Sequence, residues 1–225
     1  TIDGEMRMLR VARHLETLRP VKVRTSWLAA HAVPAGYAGR PDAYIDEVAI
    51  AGLMQAAAEG LVDSVDGFCE AIAFTPAQIE RVFQTARSLG LPVRLHAEQL
   101  SDQKGALLAA RYSALSADHL EYLAGADVEA FAAAGTVAVL LPGAISSILT
   151  AMNMACTEFS LTPEEALAGT TRCAAKALGL SGEYGEITIG ARAELAVWDV
   201  EHPSELSYWV GGSPLHKRLS HAIAA

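Results

Sequence analysis

Four side chains that could bind a metal ion or transfer a proton follow apolar runs of the sequence. They are His31, Glu70, His96 and His119. Neutral imidazole and carboxylate groups are the usual protein ligands of zinc and iron. His96 and His119 occupy equivalent points of two successive runs, which favours a shared role. We therefore predict a metal-dependent site that contains both histidines.

Each of these residues also has a structural interpretation. His96 and His119 could be hydrogen-bonded core histidines. His31 could cap the loop that follows it, and Glu70 could form a structural salt bridge. Asp118 directly precedes His119, and successive strand residues point to opposite faces of a sheet. We therefore interpret Asp118 as structural.

The apolar runs repeat at an even interval. Three of them begin at Val93, Leu115 and Val137, each start 22 residues after the one before. Helical patterns fill the gaps, and two earlier runs, 21–30 and 61–69, fit the same scheme. Strands that alternate with helices indicate βα units and a parallel sheet. The sequence therefore predicts five parallel strands, four of which end near a candidate residue.

Two α/β architectures have parallel strands of this kind. A doubly wound sheet that binds dinucleotides carries a G-x-G-x-x-G loop after a strand, and no strand is followed by one here. We therefore predict a distorted (β/α)8 TIM barrel. Barrel enzymes have their active sites at the C-terminal ends of the strands, where the candidate residues lie.

Two of the predicted helices have clear start and stop signals. Thr75-Pro-Ala-Gln78 and Thr162-Pro-Glu-Glu165 each combine a threonine N-cap, a proline at the first helical position and a capping-box residue. Glycines predict their ends, at Gly90 and Gly179. The first helix has an apolar stripe at helical spacing, formed by Ile79, Val82, Phe83, Ala86 and Leu89.

The alternation of strands and helices stops after residue 141. Residues 146–159 have a helical pattern, and the helix capped at Thr162 follows with no strand between the two. We hypothesise that residues of a complete barrel are absent around Ala144–Ile145.

The C-terminal segment has a third pattern. Residues 186–189 and 194–199 alternate in polarity on either side of Gly190, as short antiparallel strands do. We therefore predict a barrel domain at 1–181, and at 182–225 the C-terminal portion of a small β-sandwich domain.

Composition points to small-molecule chemistry. The 225 residues carry a formal net charge of −9 and have no cluster of lysine and arginine, whereas nucleic-acid binding calls for a basic patch. No unbroken apolar stretch is longer than that at 137–141, which is far short of the ~20 residues of a membrane helix. Three widely spaced cysteines, Cys69, Cys156 and Cys173, fit neither a disulfide framework nor a CxxC zinc site. We expect a cytoplasmic protein that binds neither nucleic acid nor membrane.

Six sequence blocks in order resemble the imidazolonepropionase family of the amidohydrolase superfamily, a group of metal-dependent hydrolases. The resemblance extends from Thr1 to about Trp209. Its blocks are Ala29-Ala-His-Ala-Val-Pro34, Phe68-Cys-Glu70, Leu95-His-Ala-Glu-Gln99, Ser116-Ala-Asp-His-Leu120, Val139-Leu-Leu-Pro-Gly143 and Met152-Asn-Met-Ala-Cys156. A single histidine at a strand end is a weak signal, whereas six ordered blocks are a specific one.

The resemblance assigns roles to individual residues. It implies that His96 is a metal ligand and that His119 lies beside the metal-bound water as a catalytic residue. It implies that His31 contacts the substrate and that Gln99 lies near the imidazolone ring, with both a catalytic and a binding role. We assign Glu70 to the substrate site as well.

The resemblance also implies a fold, a cofactor and an assembly. The family has one zinc or iron ion in a distorted barrel, a β-sandwich built from both chain ends, and an expected homodimer. Barrel strands one, two and eight have no counterpart in this chain. The family's His-x-His pair, its substrate-binding arginine and tyrosine, and its eighth-strand aspartate are absent with them.

The implied reaction is the hydrolysis of 4-imidazolone-5-propanoate to N-formimidoyl-L-glutamate in histidine degradation, which opens a ring C–N bond. Another amidohydrolase activity, such as an aromatic deaminase, remains an alternative, and release of ammonia would identify it. A non-catalytic barrel or an inactive fragment is a further alternative, and the absence of bound metal would favour it.

Overall fold

A computed structural model of the chain describes residues 1–140 and 145–220. The chain divides into two compact units, Thr1–Leu141 and Pro142–Ala225. The predicted domain boundary after residue 181 stays a prediction. The absence of barrel residues hypothesised around Ala144–Ile145 falls at the edge of residues 141–144, which lie outside the described residues.

The first unit contains one parallel five-stranded sheet. Its strands lie in the order of the sequence, β1 to β5, and every neighbouring pair is parallel. Their bounds are β1 Ser26–Ala30, β2 Ser64–Cys69, β3 Arg94–Ala97, β4 Ser116–His119 and β5 Val137–Val139. A sequential parallel order requires a crossover between each pair of strands. This confirms the predicted βα units and fits part of a TIM barrel.

Helices occupy those crossovers, and one further helix, α1 Ile2–Leu18, precedes β1. The crossover helices are α2 Pro41–Tyr44, α3 Ala51–Ala58, α4 Pro76–Ser88, α5 Gly105–Arg111 and α6 Val128–Ala133. A π-helical segment, Ile45–Ile50, joins α2 to α3, and short 3₁₀ turns lie at Ala35–Tyr37 and Gly125–Asp127. None of the helices among the described residues is long and apolar enough to cross a lipid bilayer.

The capping box before α4 forms as predicted. The Thr75 hydroxyl accepts a hydrogen bond from the Gln78 backbone N–H at 3.3 Å, and the Gln78 side chain accepts one from the Thr75 N–H at 3.0 Å. The helix then buries Ile79, Val82, Phe83 and Ala86 against the sheet, whereas Leu89 is exposed. Leu89 leaves the predicted stripe because α4 ends at Ser88.

The core of the first unit is packed closely around Trp27 of β1. The indole is 1% exposed, and its Nε1–H donates to the Ala49 carbonyl at 2.9 Å. Gly52 of α3 lies directly against the ring, since a Cβ at this position would come within 2.6 Å of two ring carbons. A side chain larger than hydrogen therefore has no room there.

The first predicted strand begins five residues later than expected, at Ser26 rather than Val21. The backbone of Val23 is engaged by side chains of α1 instead of a neighbouring strand: its N–H donates to Glu16 and its carbonyl accepts from Arg13. Asp63, just before β2, fixes this region by pairing with Arg13 and Arg24 at 2.8 and 3.0 Å.

The second unit is built from helices and a two-stranded sheet. Its elements are α7 Ile148–Phe159, α8 Pro163–Ala168, a π-helical segment Gly169–Cys173, α9 Ala174–Ala177, β6 Leu195–Trp198, a 3₁₀ turn Pro203–Ser207 and β7 Leu215–Leu219. The Thr162 capping box forms as predicted. As expected from the sequence, no strand lies between α7 and α8.

The antiparallel pairing in the second unit differs from the prediction. Residues 186–189 do not form a strand, and β6 pairs with β7 instead. The side chains of Ile187 and Ile189 are fully exposed. Alternating polarity favours a strand only where one face is buried, and nothing among the described residues covers these isoleucines.

Candidate metal centre

The C-terminal ends of β2, β3 and β4 bring the chemically active residues together. In the parallel register Phe68 lies opposite His96, His96 opposite Asp118, and Ala97 opposite His119. His96 therefore lies between residues of the two neighbouring strands, near the end of β3 where the sequence placed it.

Two carboxylates flank the His96 imidazole. Nδ1 lies 3.1 Å from Asp66 Oδ1, and Nε2 lies 3.9 Å from Asp118 Oδ2. One ligand atom from each of the three residues falls within 4.8 Å of the other two. Both carboxylates are buried, whereas the His96 side chain is 21% exposed. This is a possible metal-binding group that opens to one side.

Asp118 corrects one interpretation of the sequence. We expected it to point away from the site because it precedes His119, yet it lies beside His96. His119 has a left-handed backbone conformation, with φ of 84°. The strand ends at this residue, so the alternation of faces does not extend to it. His119 nevertheless remains close, with its ring centroid 5.6 Å from that of His96.

Asp66 was missed by sequence analysis altogether. It lies within β2 rather than at its end, whereas the sequence pattern predicts active groups at the strand ends of a barrel. A signal was present, because aspartate is depleted in strands and is rarely buried without a partner.

The electrostatics of this cluster favour a positive charge between the carboxylates. Burial lowers the pKa of His96, but the hydrogen bond and charge of Asp66, with the charge of Asp118, outweigh it and raise that pKa. Burial raises the pKa of the Asp118 carboxyl. Opposite charges stabilise one another in such a site, so a proton or a metal cation is the favoured occupant.

Two buried polar atoms beside His96 have no hydrogen-bond partner among the described residues. They are Asp118 Oδ1 and His119 Nδ1. The Glu121 carboxylate lies 3.6 Å from His119 Nδ1, beyond hydrogen-bonding distance. Buried polar atoms are nearly always paired in native proteins. A metal ion with its bound water would satisfy such atoms, so the donor set fits a metal.

Glu70 organises the loop after β3. It is 2% exposed, and it accepts hydrogen bonds from the backbone N–H groups of Gln99 and Leu100, at 2.7 and 3.0 Å, and from the Ser101 hydroxyl at 2.6 Å. Burial alone would raise the pKa of Glu70, but these hydrogen bonds outweigh it and lower that pKa. Glu70 thus fixes the backbone of Gln99, and its predicted contact with substrate stays a prediction.

Glu98 stabilises the other end of the same loop. It is fully buried, and its two oxygens accept from the Gly105 and Ala106 N–H groups, each at 2.6 Å, where α5 begins. Cys69 is buried beside it, and a Cβ on Gly105 would come within 3.1 Å of the sulfur. Burial, with the charges of Glu98 and Glu70, raises the pKa of the Cys69 thiol to about 12.

His31 lies directly after β1, and its side chain is exposed. Its ring packs near Phe68 of β2 with centroids 5.6 Å apart. The structure thus places His31 at the C-terminal end of its strand, as predicted. Its role in substrate binding stays a prediction, as does that of the half-buried Gln99.

Comparison with known proteins identifies the relatives of this chain. Residues 114–218 match the model of the amidohydrolase family. Imidazolonepropionase from Cereibacter sphaeroides is 56% identical over 252 aligned residues, which cover 97% of this chain. The chain is therefore similar to imidazolonepropionases over nearly its whole length. The imidazolonepropionases of Ruegeria pomeroyi and Rhizobium meliloti are 55% and 52% identical, again over 97% of the chain.

The amidohydrolase relatives are longer than this chain. The chain spans 64%, 63% and 61% of their respective lengths. The 252 aligned positions also exceed the 225 residues of the chain. Some internal residues of the relatives therefore have no counterpart here, which agrees with the hypothesis of absent barrel residues.

Solved structures share the fold of this chain. An adenosine deaminase from Xanthomonas campestris with bound zinc superposes with a TM-score of 0.64 at 17% identity, covering 94% of this chain and 62% of that one. A Xaa-Pro dipeptidase superposes with a TM-score of 0.67 at 13% identity, covering 94% and 70%. At such low identity these matches establish the fold alone.

Proposed function

We propose that the full-length protein hydrolyses the ring C–N bond of 4-imidazolone-5-propanoate to give N-formimidoyl-L-glutamate. The observation that carries this proposal is the 56% identity to a curated imidazolonepropionase over 97% of the chain. The His96 cluster supports it independently, because the reaction needs activated water and the cluster suits a metal ion.

We infer that the cofactor is one zinc or iron ion, held in this chain by His96 Nε2, with the Asp118 carboxylate 3.9 Å from that nitrogen. A bound ion of this kind lowers the pKa of water from 15.7 to about 7 and acts as a Lewis acid. A catalytic metal usually has three protein ligands. The family resemblance implies that the remaining ligands are the His-x-His pair and the aspartate that have no counterpart here.

The other site residues act on the substrate. His119, 5.6 Å from His96 between ring centroids, would donate to the carbonyl oxygen as negative charge develops there. Gln99 and His31 would orient the planar ring by hydrogen bonding. Orientation of this kind lowers the entropic part of the barrier, and the loop fixed by Glu70 keeps Gln99 in place.

Product analysis tests the proposal. The full-length protein, loaded with zinc or iron, should convert 4-imidazolone-5-propanoate to N-formimidoyl-L-glutamate without release of ammonia. Mass spectrometry would detect the product, and a coupled assay would detect ammonia. Release of ammonia would instead identify a deaminase, and absence of both products with metal bound would contradict the proposal.

A further inference from the structure

We propose that Asp66 is a positioning residue for the metal ligand His96: its carboxylate holds Nδ1–H and so directs Nε2 towards the ion. This inference rests on the proposed function, in which His96 binds the metal. Metal-binding histidines commonly donate their second ring N–H to a carboxylate or a carbonyl.

Asp66 is itself held firmly. It is 4% exposed, and its Oδ1 accepts from the Gly67 backbone N–H at 2.7 Å as well as lying 3.1 Å from His96 Nδ1. Gly67 cannot move aside easily, since a Cβ there would come within 2.8 Å of Ile79. The carboxylate is thus fixed through its own strand, which is what a positioning group requires.

The hydrogen bond determines which nitrogen of His96 is free. An ionised carboxylate can only accept hydrogen bonds, so Nδ1 must carry the hydrogen that it shares with Asp66. In the neutral ring the lone pair then lies on Nε2. The nearest carboxylate oxygen to Nε2, Asp118 Oδ2, is 3.9 Å away and forms no hydrogen bond with it. Nε2 is therefore available as a ligand.

The contact is diagonal across two strands. Phe68 is the residue of β2 that pairs with His96, and Asp66 lies two residues before it. The Asp66 side chain consequently approaches the imidazole from β2, whereas Asp118 approaches from β4, on the other side of His96. This arrangement separates the two carboxylates by function: one orients the ring, and the other lies next to the free nitrogen.

Zinc affinity of full-length variants tests the role of Asp66. Loss of such an outer partner weakens metal binding about 10–100-fold. Asp66→Ala should therefore lose half of its zinc at a chelator concentration lower than the wild type requires by that factor, which a chromophoric chelator measures. Asp66→Asn should show a smaller loss, because its amide oxygen can still accept from Nδ1. Nitrogen-15 NMR of the zinc form should show Nδ1 protonated in the wild type.

Asp63→Asn is the matched control. Asp63 lies immediately before the same strand and is also held by several partners, Arg13 and Arg24 among them. Its loss should lower stability and leave zinc affinity unchanged. If Asp66 were merely structural, Asp66→Ala would behave in the same way.

The outcomes separate this inference from the proposed function. Zinc affinity within twofold of the wild type in both Asp66 variants would overturn the inference and leave the proposed activity intact. Weakened zinc binding in these variants, with no hydrolysis by the zinc-loaded wild type, would support the inference and contradict the activity. A wild type that binds no zinc would overturn both.

Discussion

Removal of Glu70 provides the sharpest test of how the site loop is held. Glu70→Ala deletes the acceptor of two backbone N–H groups and one hydroxyl, all within 3.0 Å. A hydrogen bond to a charged group contributes about 1.5–3 kcal/mol when buried. Gln99 is half-buried and Leu100 exposed, so water can replace part of this loss. We expect the free energy of unfolding to fall by about 2–4 kcal/mol.

Urea denaturation of the full-length protein measures this change. Glu59→Ala is the control: Glu59 pairs with Arg10 at the surface, and an exposed pair contributes at most about 1 kcal/mol. Substrate turnover by Glu70→Ala should fall as well, because Gln99 loses its backbone anchor. A variant that loses turnover while keeping its full unfolding free energy would refute the anchoring role and favour direct substrate contact.

The pH dependence of the same variant gives a second check. The folded protein lowers the pKa of Glu70, so its stabilising contribution is complete above the unfolded pKa of about 4.3. The contribution disappears as the pH falls through the lower folded pKa. The stability difference between wild type and Glu70→Ala should therefore be constant near neutral pH and shrink in acid. A difference that grows in acid would show that the sign of the shift is wrong.

Four further substitutions test other parts of the structure. His96→Ala in the full-length protein should abolish metal content and activity together, and retained metal by elemental analysis would contradict the ligand assignment. His31→Ala should raise KM and leave metal content unchanged. Gly52→Ala should destabilise by about 1–3 kcal/mol through overpacking against Trp27, and an unchanged thermal midpoint would contradict that close contact. Asp63→Asn should lower the free energy of unfolding by about 1–2 kcal/mol at neutral pH and by much less in acid. The reason is that hydrogen bonds and the arginine partners outweigh burial and lower the pKa of Asp63. Denaturation at several pH values measures this difference.

The sequence carried most of the information about the parallel sheet. Evenly spaced apolar runs and two capping boxes are local signals, and they predicted β2 to β4 and α4 to within three residues at each end. The start of β1 was predicted too early because side chains of α1 engage the backbone of Val23. Those contacts join α1 to the segment directly after it through polar side chains, and an apolar pattern does not record them.

The candidate metal centre was predictable only in part. His96 and His119 stand out because a histidine that ends an apolar run needs an explanation. Asp66 and Asp118 became visible only once the register of three strands was known, since their contacts with His96 cross from one strand to another. The alternation of side chains along a strand likewise does not predict the left-handed backbone conformation of His119.

The alkylation rate of the buried Cys69 thiol reports how often the first unit opens locally. Thiolate is the reactive form of cysteine, and with a pKa of about 12 almost none exists at neutral pH. Cys156 and Cys173 are half-buried and should be alkylated first. Slow alkylation at Cys69, resolved by peptide mass spectrometry, would then measure how often the interface between β2 and α5 opens, without any engineered cysteine.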